Sequence, residues 1–205
     1  METKKKLFLV DAYALIFRGY YAFIKNPRIN SKGVDTSAIM GFTNSLFDVI
    51  KREKPDYIAV CFDKGGSHDR IKIFKEYKAN RDETPEAIKI AVPYIEKILK
   101  SLNIAMVVKE GYEADDIIGT IAKKVKQKNL KTYMVTPDKD FAQLVEKDIY
   151  MYRPVFGGGY ETWGVDEVLK KFEINKTSQV IDFLAMMGDS VDNIPGLPGV
   201  GDKTA

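Results

Sequence analysis

Cysteine and histidine are almost missing from this chain, whose 205 residues hold one of each, Cys61 and His68. A single cysteine excludes an intrachain disulfide and any zinc site built on several thiolates. A single histidine excludes a His-pair metal site, and a Ser-His-Asp triad would have to run through His68. No stretch approaches the roughly 18 consecutive apolar residues of a membrane-spanning helix. The charged N-terminus leads into Leu7–Val10, too short for a signal-peptide core, and no small-residue cleavage site follows. With neither disulfides nor an export signal, a reducing, intracellular setting is expected. Repeats, low-complexity tracts and linkers are also missing, so the length reads as one sizeable domain, or two small ones at most.

What remains plentiful is carboxylate and amine, 29 Asp plus Glu against 32 Lys plus Arg. Any catalytic chemistry must be built mainly from those groups. The net charge of +3 is too small to argue for a polyanionic partner, so the distribution of charge matters more than its sum.

Short apolar runs alternate with longer helical patterns. Leu7–Val10, Tyr57–Phe62, Ala105–Val108, Lys131–Val135 and Ile149–Tyr152 are rich in β-branched or aromatic residues and read as strands buried on both faces. Thr36–Lys51, Glu86–Leu102 and Ala114–Lys128 carry apolar residues near the 3.6 period of a helix. Strands alternating with helices predict an α/β fold, with a mostly parallel central sheet flanked by helices. Two segments break the rhythm. Lys64–Asn80 is polar and basic, and reads as a loop or a mobile helical arch. Val155–Tyr160, with Gly157, Gly158 and Gly159 at its centre, reads as a β-hairpin turn. Beyond it, Asp166–Phe172 and Ser178–Met187 read as helices, and Pro195–Gly201 as a Gly/Pro-rich turn.

In a parallel sheet, ligands bind at the carboxyl ends of the strands. Asp11 and Asp63 directly follow the first two strands. Asp138 and Asp140 come just after the fourth. Glu113, Asp115 and Asp116 follow the third and open a helix, and Asp189 and Asp192 lie at the end of another helix. Each acid alone could be a turn former or a helix N-cap. Together, nine carboxylates on one rim would repel each other by several kcal/mol if left unpaired. All-oxygen ligands with no His or Cys suit Mg²⁺, with Mn²⁺ able to substitute. Nine acids predict two ions, partly held through second-layer contacts. Two ions about 4 Å apart suit phosphodiester cleavage, a mechanism that needs no histidine.

The segment Lys64–Arg81 holds Lys64, Arg70, Lys72, Lys75, Lys78 and Arg81 against only Asp69 and Glu76. Phe74 and Tyr77 lie among them. Basic residues interleaved with aromatics fit a single-stranded nucleic acid, with amines on phosphates and rings on bases. The plainer reading is a solvated helix with both rings on its buried side. Gly196–Thr204 approaches the phosphate-binding pattern G-x4-G-K-T, but Asp202 intrudes before Lys203 and no strand leads in, which rules out nucleotide binding there. His68 reads as a surface residue and Cys61 as a packed core thiol.

The strings Tyr77-Lys-Ala-Asn-Arg81, Glu113-Ala-Asp-Asp116, Asp138-Lys-Asp140, Gly188-Asp-Ser-Val-Asp-Asn-Ile-Pro-Gly196 and Gly199-Val-Gly-Asp-Lys-Thr-Ala205 occur in this order. Over essentially the whole chain they resemble the 5′-nuclease domain at the N-terminus of bacterial DNA polymerase I, of the flap endonuclease family. The resemblance implies that Asp11, Asp63, Glu113, Asp115, Asp116, Asp138, Asp140, Asp189 and Asp192 bind metal. It places Asp63, Asp115, Asp116 and Asp138 innermost with Lys78 and Arg81 as catalytic partners, and Asp140, Asp189 and Asp192 in an outer group. It makes Arg18, Arg70, Tyr77, Lys78 and Arg81 contacts to DNA. Gly199, Gly201 and Lys203 would begin a helix-hairpin motif that grips duplex DNA, with K⁺ if the motif were complete.

The resemblance further implies a PIN-like core over residues 1–187, including a basic arch over 64–85, and a truncated helix-hairpin region over 188–205. The chain would then be part of a longer protein linked to a polymerase region. It would be monomeric and cytoplasmic in a bacterium, associated with the nucleoid and not with a membrane. It would act on 5′ flaps, 5′ ends and RNA primer–DNA hybrids. Two departures stand out: Ala12-Tyr13-Ala14 follows Asp11 where the family often has Gly-Ser-Ser, and Pro137 precedes Asp138 where Gly is usual. Pro137 should stiffen the approach to Asp138. Two other readings compete, a PIN-like ribonuclease and a DNA-binding fragment made inactive by truncation.

Overall fold

The computed structural model describes residues 4–205. The N-terminal signal reading draws partly on residues 1–3, which lie outside the described residues. Six strands form one sheet: β1 (Lys5–Asp11), β2 (Tyr57–Phe62), β3 (Ala105–Val108), β4 (Leu130–Val135), β5 (Ile149–Pro154) and β6 (Tyr160–Trp163). Their spatial order is β3-β2-β1-β4-β5-β6. The first five strands run parallel, and β6 returns antiparallel to β5. The chain builds outward in one direction through β2 and β3, then starts again on the other side of β1 with β4. This reversal opens a crevice at the carboxyl ends of β1 and β4, where ligands bind in such sheets. Register fixes what lines it: Asp11 pairs with Cys61, and Val10 with Val135, so Thr136 follows beside Asp11.

Alternation along the strands divides the core into two layers. Phe8, Val10, Val60, Phe62 and Val135 pack against α1 (Ala12–Ala22), α2 (Ser37–Glu53) and α4 (Glu86–Ser101), the short α3 (His68–Ile73) lying outside this layer. Leu7, Leu9, Cys61, Met134 and Met151 pack against α5 (Ala114–Val125), α6 (Val165–Phe172) and α7 (Val180–Met187) on the other face. Cys61 is fully buried here, which pushes its thiol up to about 12 and agrees with a packed core residue. On the first face α1 and α2 cross in backbone contact. A Cβ built on Gly41 would stand 2.3 Å from the Gly19 Cα.

The strand between residues 105 and 108 departs from its expectation. It is an edge strand, with Met106 40% and Val108 50% exposed. Its apolar composition reads as an interior strand, but its place in the sheet leaves one edge open. The expected hairpin is present as β5–β6, with Pro154 opposite Tyr160. Its tip needs glycine, because Gly157, Gly158 and Gly159 all have positive φ (84, 105 and 85°). The segment 64–80 is helical only over α3 and continues as turns.

Candidate active site at the carboxyl edge of the sheet

Asp11 closes β1 and caps α1. Its Oδ1 accepts from the Ala14 N–H at 3.1 Å and its Oδ2 from the Thr136 hydroxyl at 3.1 Å. Burial lifts its carboxyl to about 6 against those two bonds, with the charges of Asp63 and Asp138 adding to the rise. Asp63 leaves β2 and accepts from the Ala114 N–H at 2.9 Å, which ties it to the start of α5. Burial raises its carboxyl as well, with Glu113 adding to the effect.

The first turn of α5 brings three acids at once. Glu113 is the N-cap, and Asp116 Oδ2 reaches back to accept the Glu113 N–H at 3.1 Å. Asp115 points to the crevice between them. Burial, followed by the charges of Asp11, Asp138 and Asp63, pushes its carboxyl up to about 8. Asp138 caps the 3-10 turn Lys139–Leu144, its Oδ1 accepting from the Asp140 N–H at 2.9 Å. Asp11, Asp63, Asp115 and Asp138 therefore come from four separate elements and repel one another across the crevice.

The basic segment is packed down on the remaining acids. Arg70 makes a two-pronged pair with Asp116 at 2.9 and 2.8 Å. Burial works to raise the Asp116 carboxyl, but the Arg70 pair and the Glu113 N–H outweigh it and hold it below its usual range. Lys78 reaches Glu113 Oε2 at 2.8 Å and lies 3.7 Å from Asp192. Arg81 pairs with Asp192. Lys139 binds Asp189 at 2.9 Å, and Asp189 also caps the N–H groups of Val191 and Asp192. Although burial works to raise it, the Asp189 carboxyl falls below its usual range, chiefly through Lys139.

Bonds to main-chain carbonyls lock the two segments together. Lys78 N donates to Asp192 O at 2.9 Å, Asn80 Nδ2 to Ser190 O at 2.8 Å and Asn193 Nδ2 to Glu76 O at 2.7 Å. The loop that receives them is closed by paired bonds between Asp189 and Ile194. A cavity of about 460 Å³ opens between α5, the 3-10 turn and this closed arch.

The family follows from the chain itself. Residues 6–173 match the family model described as 5′-3′ exonuclease, N-terminal resolvase-like domain. Residues 175–205 match the model described as 5′-3′ exonuclease, C-terminal SAM fold. This chain belongs to the 5′-3′ exonuclease family. It is 39% identical over 201 residues to a 5′-3′ exonuclease of Aquifex aeolicus, covering 98% of this chain and 68% of that protein. It is 39% identical over 207 residues to the DNA polymerase I of Bacillus subtilis, covering 100% of this chain and 23% of that one. The chain thus spans about a quarter of such polymerase relatives.

The fold is also found among solved structures. It matches a T5 5′-exonuclease with bound zinc ions at TM-score 0.77 and 23% identity, covering 98% of this chain and 73% of that one. It matches the catalytic core of Rad2 in complex with DNA substrate at TM-score 0.61 and 18% identity, covering 97% and 58%.

In this 5′-3′ exonuclease chain the nine acids named from sequence all border one rim, but they split into two sets. Asp116, expected among the innermost acids, is turned to Arg70 instead, and Asp11 takes its place beside Asp115. Among the described residues, no three His, Cys, Asp or Glu side chains form a ready-made cage for an ion. The donor set nevertheless fits a hard divalent cation: it is all oxygen, and its inner members repel one another.

Besides Lys78 and Arg81, three more of the residues expected to contact DNA have protein partners here. Tyr77 is buried, its hydroxyl shared between Glu113 at 3.0 Å and Asp192 at 3.1 Å, so its ring face is not open to a base. Arg70 is held by Asp116, and Arg18 donates to the Val155 carbonyl of the hairpin at 3.0 Å. Gly199, Gly201 and Lys203 form a turn in which Ala205 N donates to Gly201 O at 3.0 Å. His68 is exposed, as expected. Thr136, Lys139, Asn80 and Asn193 are functional neighbours that sequence reasoning did not assign. Lys139, Asn80 and Asn193 lie inside the strings quoted above, whereas Thr136 had no such signal.

Proposed function

We propose that this chain is a divalent-metal-dependent 5′ nuclease that hydrolyses DNA near the junction of single and double strand, using Mg²⁺. The observation that carries the reading is the cluster Asp11, Asp63, Asp115 and Asp138. Four carboxylates face one crevice, and Asp115 is pushed up to about 8 by burial and by its neighbours' charges. Such a site is stabilised by added cations and has no other evident purpose at the edge of a parallel sheet.

Bound in that crevice, a pair of divalent ions would supply an acidified water and neutralise charge on the leaving oxygen. Asp11, Asp63, Asp115 and Asp138 would hold them, with Glu113 and Asp140 adjoining. The chain's own part is to orient. The Ala14 and Ala114 N–H groups hold one oxygen each of Asp11 and Asp63 in place. Lys78 and Arg81 stand over the rim on the arch, where their cations can exchange a carboxylate for a scissile phosphate. Closure of the arch over the crevice would exclude bulk water and admit only a strand able to pass beneath it.

The substrates proposed are DNA with a 5′ flap or 5′ end and RNA primers on DNA. Gly199, Gly201 and Lys203 would meet duplex phosphates, and Arg18 the strand beside the hairpin. In the whole protein this domain would precede a polymerase region and act as a monomer in the cytoplasm, and among the described residues no helix is long and apolar enough to cross a membrane. The deciding experiment is a cleavage assay of this chain on a 5′-flap DNA and on an unstructured RNA of equal length, with Mg²⁺ and with EDTA. Flap cleavage that EDTA stops is the expected result. Preference for the RNA, or cutting that survives EDTA, would reject the reading.

A further inference from the structure

The turn that carries Asp138 is gripped at each of its residues. Thr136 is 0% exposed. Its hydroxyl donates to Asp11 Oδ2 at 3.1 Å and accepts from the Asp138 N–H at 3.3 Å. One hydroxyl can do both, since it carries one proton and two lone pairs. A single side chain at the end of β4 thus joins a carboxylate from β1 to the main chain that aims a carboxylate from the next turn.

The residue between them is held from outside. The Pro137 carbonyl accepts from Arg153 Nη2 at 3.0 Å. Arg153 also reaches Glu161 at 2.8 Å and lies 3.8 Å over the Trp163 ring. Its Nε is buried without a partner. A largely covered guanidinium with an unsatisfied donor is a costly way to hold a hairpin that already has its own ladder of bonds. The polar contact that Arg153 makes beyond that hairpin is the one to Pro137.

We propose that Thr136, braced through Pro137 by Arg153, is a positioning residue that sets Asp11 and Asp138 for a divalent cation. The inference rests on the metal-binding reading given above. If Thr136 merely satisfied buried polar groups, its loss would lower stability and leave the cation affinity of the folded protein unchanged. If it positions the acids, affinity falls as well, as it does when other partners of metal ligands are removed.

The test uses the whole chain and Mn²⁺ as the probe, with calorimetric titration, thermal melting and the Mg²⁺ dependence of flap cleavage. Thr136→Val keeps the shape and removes the hydroxyl. It should weaken Mn²⁺ binding at least about ten-fold and raise the half-saturating Mg²⁺ in parallel, whereas Thr136→Ser should stay within about two-fold of the parent. Arg153→Met should weaken binding about three-fold. Folded Thr136→Val and Arg153→Met proteins that bind Mn²⁺ like the parent would overturn the proposal. Should Thr136→Val not fold, parental affinity in Arg153→Met overturns it alone. A parent chain that does not bind Mn²⁺ at all would instead reject the metal reading itself, so the two failures are distinct.

Discussion

The inner and outer acids are the same residue types a few ångströms apart, yet their protonation moves in opposite directions. Burial and mutual repulsion raise Asp11, Asp63 and Asp115. Asp116 and Asp189 are lowered, because Arg70 and Lys139 overcome the same burial, whereas Asp140 stays raised by its burial and by Asp138 although Lys139 lies 3.5 Å away. The arch and its neighbours place their cations on the outer set and leave the inner set without a paired side-chain cation. A cation brought in from solution therefore gains most at the inner set. The outer set is where the arch fastens, and its amines are the ones a phosphate would claim.

The sharpest way to break this contrast is Asp115→Asn, which removes one inner charge and keeps the shape. Flap cleavage should fall by a factor of about a thousand or more, while far-ultraviolet circular dichroism stays that of the parent. Rates within an order of magnitude of the parent would dissolve the inner group. The companion prediction of Asp116→Ala also abolishing cleavage asks whether Arg70 yields Asp116 to the site when metal and DNA are present.

Gly188→Ala attacks the outer set through its loop. Gly188 has φ +72°, and a Cβ there would stand 2.3 Å from the Gly196 N. A stability loss on the order of 3 kcal/mol is expected in urea titration, from backbone displacement at a left-handed position. A midpoint equal to the parent's would show that the loop is not held as closely as these contacts indicate.

A third comparison works through pH in metal-free protein. The folded chain keeps a proton on Asp115 up to about pH 8, whereas an unfolded chain releases it near pH 4. The native state thus binds more protons across that window, and this group's contribution to stability falls as pH rises through it. Asp115→Asn lacks the effect. With EDTA present it should be more stable than the parent by on the order of 2 kcal/mol at pH 8, and nearly equal to it at pH 4. Melting temperatures that differ by the same amount at both pH values would contradict the assigned repulsion.

The smallest effect is expected for Arg70→Ala. The pair with Asp116 has good geometry, but Arg70 is 41% exposed and screened by water. A loss of about 1 kcal/mol in urea is expected. A loss several times larger would mean that the outer set resembles the inner one, with charges that depend on a partner for the fold.

Much of the molecule was readable in its residues. The strand exits put Asp11, Asp63 and Asp138 on one rim because consecutive parallel strands end at the same edge. The acidic run Glu113–Asp116 marked a helix start at that edge and added Glu113, Asp115 and Asp116. Two things were not readable. The apolar run Ala105–Val108 looks like an interior strand, and only the spatial order of the sheet makes it an edge. Tyr77 in a basic stretch looks like a platform for a base, and only the folding of the arch buries its ring.

The sequence by itself determined which chemistry is available. With one Cys and one His, the chain offers a divalent ion oxygen ligands and little else. Local patterns also determined where along the chain those oxygens lie, because strand ends and helix caps depend on neighbouring residues. The tertiary structure decided which oxygens are left bare. That depends on where Arg70, Lys78, Arg81, Lys139 and Thr136 come to rest, and contacts between residues far apart in sequence have no local signature. Charge is a property of composition, but whether a charge is neutralised or exposed to its own kind is a property of distance.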